Sequence, residues 1–92
     1  MEVGLAAIER WRRSPRVSKA DEAVVAALWE VRRTAAPERA ARIDAIVSSA
    51  LRADRGFASA RSGLAGDLCL EKLWRALDEA RAELAREPEG TP

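Results

Sequence analysis

Leucine or alanine stands at Leu70, Leu73, Leu77, Ala80 and Leu84, a spacing of three and four that an α-helix turns into one narrow apolar face. Arg75, Glu79, Glu83 and Arg86 fall beside that stripe and are expected to face water. Such a seam serves a bundle core or an antiparallel partner. The same period recurs three times upstream, and no strand-like alternation competes with it.

Leu5, Ile8 and Trp11 share one side of a helix expected over residues 2–13, flanked by Gly4 and Ala7. Ser14-Pro15 ends it, because proline disfavours helical geometry in the residue before it. Ser18 opens a second helix, with Asp21 three residues on in a capping-box pattern. Ala20, Val24, Ala27, Leu28 and Val31 make the core face expected of it. Pro37 suits the first turn of a third helix, where its missing N–H costs nothing. That helix is expected to run to about Ala53, on a stripe of Ala40, Ile43, Val47, Ala50 and Leu51 with Ile46 at the edge. Gly56 is placed near its C-terminal cap. Residues 56–66 hold three glycines and two serines and read as a loop, with a fifth short helix left open. Phe57 and Leu64 are expected to pin that segment to the core. Asp67 is taken as the cap of a fourth helix over 67–86, and Pro88 and Gly90 predict a disordered tail over 87–92. The reading is all-α: a single domain over 1–86, a compact bundle of four main helices whose short connections make neighbours roughly antiparallel.

A chain of 92 residues holds one domain with a limited core. That favours stabilisation by pairing with itself or with a partner. The net charge is only +1, yet residues 1–61 carry +4 and residues 62–92 carry −3, a division that favours head-to-tail association. One cysteine excludes an internal disulfide framework. With no leader pattern and no apolar run of membrane-spanning length, a cytoplasmic place is expected. Heavy use of alanine and arginine points to a GC-rich, bacterial genome.

The sequence has no histidine. Cys69, near a helix start, therefore has no histidine base, and neither do Ser48, Ser49 and Ser59. Glu71, Asp78, Glu79 and Glu83 diverge around their helix rather than converge on a cation, and no Glu-x-x-His pair exists. The chain is expected to be non-enzymatic, with no catalytic, cofactor-binding or metal-binding residues.

Three tryptophans carry the remaining signal. Trp11 and Trp74 lie near their core stripes and are expected in the core or at its rim. Trp29 and Val25 lie one turn apart, off the core face assigned to their helix, near Glu22 and Arg32. Tryptophan is enriched at binding hot spots, and arginine suits the rim of an interface. Val25, Trp29 and Arg32 are therefore the expected partner-binding residues of a helical protein–protein interaction module: a small subunit, adaptor, regulatory partner or homo-oligomer.

The alternative is a small nucleic-acid-binding regulator using Arg10, Arg12, Arg13, Arg16, Lys19, Arg32 and Arg33 against phosphates. Helix dipoles account for four of these, since Arg12, Arg13, Arg32 and Arg33 end helices where cations are favoured. Residues 18–53 have the two helices of a helix-turn-helix, with Arg39 and Arg42 as base readers. The turn from Thr34 to Pro37 lacks the usual glycine, and Glu38 and Asp44 would oppose phosphates.

Overall fold

The structure, a computed structural model, describes residues 4–86. The expected helical start at Glu2 and the expected tail over 87–92 lie outside the described residues. Four α-helices occur among those described and no strands: α1 (Leu5–Arg12), α2 (Lys19–Arg33), α3 (Pro37–Ser59) and α4 (Gly63–Ala85). The molecule measures 50 × 24 × 20 Å.

Local chemistry explains most of the boundaries. Gly4 precedes α1 at φ 76° and ψ −147°, a conformation open only to glycine. Ser18 Oγ accepts from the Asp21 backbone N–H at 3.1 Å, so the expected cap of α2 is formed. Pro37 starts α3 after an extended Ala36, as its ring requires. Ser62, not Asp67, caps α4, accepting from the Ala65 N–H at 3.1 Å.

The segment 56–66 differs from expectation. α3 runs on to Ser59 and α4 begins at Gly63, so the connection is only 60–62. Gly56 is inside α3 rather than at its cap. A Cβ there would lie 2.9 Å from Cys69 Sγ, so this glycine is a notch that admits the neighbouring helix. Gly66 faces the Phe57 ring, but a Cβ there would lie 3.6 Å from it, an ordinary van der Waals contact. Gly56 thus serves close helix approach, which a sequence reading mistakes for chain punctuation.

Ile8 and Trp11 of α1, Val25 and Leu28 of α2, Ile43, Val47 and Ala50 of α3, and Leu73, Leu77 and Ala80 of α4 pack into one core. Trp11 is fully buried, as its stripe predicts, but its Nε1–H meets no acceptor among the described residues. Such an orphan donor costs about 1–3 kcal/mol. The stripes of α3 and α4 are largely as expected, with Ile46 also buried and Leu51, Leu70 and Leu84 half-buried.

The chain between α1 and α2 is pinned to α3. Ser14 Oγ donates to Asp54 Oδ1 at 2.6 Å, and Arg16 Nε donates to the same oxygen. The Arg16 guanidinium also lies over the Phe57 ring, 4.9 Å from its centroid. Burial pushes the Asp54 carboxyl up, but the hydrogen bonds from Arg16 and Ser14 and the arginine charge outweigh it and hold it below its ordinary value.

Candidate functional site

The expected partner face on α2 is not there. Val25 is 0% exposed and belongs to the core. Leu28 is equally buried, whereas Ala20, assigned to the core face, is exposed. The buried arc of α2 is thus rotated by roughly a quarter turn at about 100° per residue. Asp21 and Arg32 lie on that arc and disguise it. Each pairs across to another helix: Asp21 with Arg81 of α4 at 3.0 Å, and Arg32 with both oxygens of Asp44 of α3 at 2.9 and 3.2 Å. That bidentate bond raises the Arg32 pKa above its ordinary value. Trp29 is half-buried against the core, with the Arg33 guanidinium 5.8 Å from its ring centroid. Of the three expected residues, Val25 is interior, Arg32 is held by a carboxylate, and Trp29 keeps only a partial face.

The exposed apolar groups are on α4 instead. Leu64 is 72% exposed, Trp74 60% and Leu68 51%. Leu64 therefore does not pin the chain to the core, and Trp74 does not pack in it. Leu64 and Leu68 stand one turn apart, and all three side chains leave the outer side of the helix within an arc of about 120° at the α-helical period. Asp67, Glu71, Asp78 and Arg75 share that arc and are exposed, which leaves the face a net charge of −2. The surface is apolar and acidic together.

The seven cations of the nucleic-acid reading are largely committed within the protein. Arg12 faces Glu9 and Glu22 at 3.6 and 3.5 Å, and Arg33 reaches Glu30 at 3.3 Å. Arg16 and Arg32 hold Asp54 and Asp44. Arg10 and Arg13 flank Glu9 on the outside of α1, and Lys19 is exposed at the start of α2. The helix-turn-helix reading fails on Arg39 and Arg42, which turn inward.

Their partner is Glu83, expected in water and found 4% exposed. Arg42 grips it with both nitrogens, Nε to Oε1 at 3.0 Å and Nη2 to Oε2 at 3.3 Å. Arg39 Nε donates to Oε2 at 3.0 Å, and Arg39 Nη2 donates to the Glu83 carbonyl at 2.7 Å. That last bond gives a second donor to a backbone oxygen in the final turn of α4, which otherwise accepts only the Arg86 N–H at 3.2 Å. Burial drives the Glu83 carboxyl up. The bonds and charge of Arg42, then Arg39 and the charge of Arg86, more than reverse this and leave its pKa below the ordinary glutamate value. The cluster joins the first turns of α3 to the last turn of α4.

No protein-family model, curated protein or solved structure matches the chain. No helix among the described residues is long and apolar enough to cross a membrane.

Proposed function

We propose that this protein is a non-enzymatic helical interaction module whose contact element is the outer face of α4. The observation that carries this reading is the exposure of Trp74, Leu64 and Leu68 on one helix. In a chain with only four aromatic residues, leaving a tryptophan mostly in water forgoes packing that a small core needs. Large apolar side chains rimmed by charge are the composition of a contact surface. The carboxylates of Asp67, Glu71 and Asp78 favour a partner face that is apolar and basic. A subunit or adaptor role fits that face, and self-assembly fits it if the face meets a basic surface of the second copy. Phosphate backbones are repelled by it, which sets the nucleic-acid alternative second.

A photo-crosslinking residue in place of Glu71 tests the proposal in cells. One discrete adduct is expected, self or other, and the paired variant Leu68→Ser with Trp74→Ser should abolish it. An adduct pattern no different from that given by the same residue in place of the exposed Glu38 would remove the reading.

A further inference from the structure

A cleft of about 430 Å³ runs between α3 and α4, away from the core stripe. Its volume is in the range of small-ligand sites, roughly 300–1,000 Å³. The helices come close here because Gly56 yields to Cys69, and Ala53 and Ala76 keep the walls low. Arg52, Lys72 and Arg75 rim the cleft, against the single carboxylate Glu79, so the lining carries a net charge of +2.

These cations differ from those that tie the helices together. Arg16, Arg32, Arg39 and Arg81 each hold a carboxylate at hydrogen-bond distance. Among the described residues no carboxylate forms an ion pair with Arg52 or Lys72, and Arg75 meets only Glu71, at 3.9 Å. Positions 52, 56, 69 and 72 bring them together from two helices, so the grouping is made by the fold and not by a run of sequence. Three cations gathered against one lining carboxylate repel one another, and an anion supplied from outside relieves that repulsion. The Ser49 hydroxyl adds a donor at the same wall.

Two other clefts among the described residues lack this combination. The one beside Glu83 has both its arginines, Arg42 and Arg86, facing that glutamate, at 3.0 and 4.0 Å. The one on α1 is lined by a single helix and contains Glu9.

We propose that the α3–α4 cleft binds a small free phosphate compound of two or more negative charges, held by Arg52, Lys72 and Arg75. No aromatic side chain lines it, so there is no platform for stacking a nucleobase, and recognition is of the phosphate charge itself. The site adjoins the outer face of α4 at Arg75, which meets Glu71 of that face at 3.9 Å.

Inorganic pyrophosphate is the first probe, followed by amide NMR at fixed ionic strength, with alkylation of Cys69 as a second readout. Saturable shifts are expected at Ser49, Gly56, Cys69 and Lys72, together with slower alkylation of Cys69. Arg52→Gln and Lys72→Gln should each weaken binding by about tenfold, the worth of one charge-assisted bond, while Arg13→Gln leaves it unchanged. All three positions are exposed, so the variants should keep the parent circular dichroism. Shifts that do not saturate, or an equal effect of Arg13→Gln, would overturn the site. Binding of duplex DNA or phosphatidic acid vesicles without binding of pyrophosphate would overturn it too, in favour of a macromolecular or lipid phosphate.

Discussion

The two ends of the α3–α4 pair are built on different physics. At one end Arg39 and Arg42 enclose Glu83, and Arg32 holds Asp44 nearby, so charge does the joining. At the other, around Gly56, Phe57 and Gly66, the helices meet through one notch, at Gly56, and a ring face. The charged end fixes register, because a buried carboxylate accepts only partners at set positions. The notched end fixes only distance, and there the surface is released: Leu64 and Leu68 point outward and the cationic cleft opens.

The largest test is at the charged end. Glu83→Gln strands the buried Arg39 guanidinium and should lower unfolding free energy by about 3 kcal/mol, read by urea denaturation. A loss below about 1 kcal/mol would mean that the cluster is ornamental. Acid should do the same work. The folded-state pKa values of Glu83 and Asp54 lie below their ordinary values, so their stabilisation is present above the ordinary carboxylate range and fades as pH falls through it and beyond. The slope of stability against pH in that window should shrink in Glu83→Gln; an unchanged slope would assign the acid sensitivity elsewhere.

At the notched end Gly56→Ala should destabilise by about 1 kcal/mol, overpacking outweighing the gain in helix propensity. In a Cys69→Ala background the sign should reverse, because the atom that blocks the Cβ is gone. A loss of equal size in both backgrounds would contradict the notch. The smallest effect belongs to the outer face: Leu68→Ser should change stability by no more than about 0.5 kcal/mol. A drop like that of Glu83→Gln would show that the face is core, and the comparison of the two ends would collapse.

The periodicity made the helices legible, together with the Ser18 cap, the Pro37 start and the leucine stripe of α4. Faces bounded by ion pairs were not. Asp21 and Arg32 read as solvent-facing because nothing local shows the carboxylate or guanidinium waiting across the core. Glu83 is the extreme case: the group that makes its burial tolerable, Arg39, is 44 residues away in the chain. Counting alanines as core also misplaced the α2 arc, since Ala20 adds little burial and Val25 much. Trp74 was misassigned because its stripe neighbours are interior, although the helix surface turns outward within one residue of Leu73.

The three tryptophans occupy three depths, with Trp11 sealed, Trp29 half-covered and Trp74 in water. The molecule therefore contains three indole chromophores in graded polarity. Emission from Trp11 reports whether the interior is intact, while Trp74 emits from the aqueous end of the spectrum. Anything that covers the outer face of α4 moves the red component and leaves the blue one still, so occupancy and unfolding carry different colours without any added label.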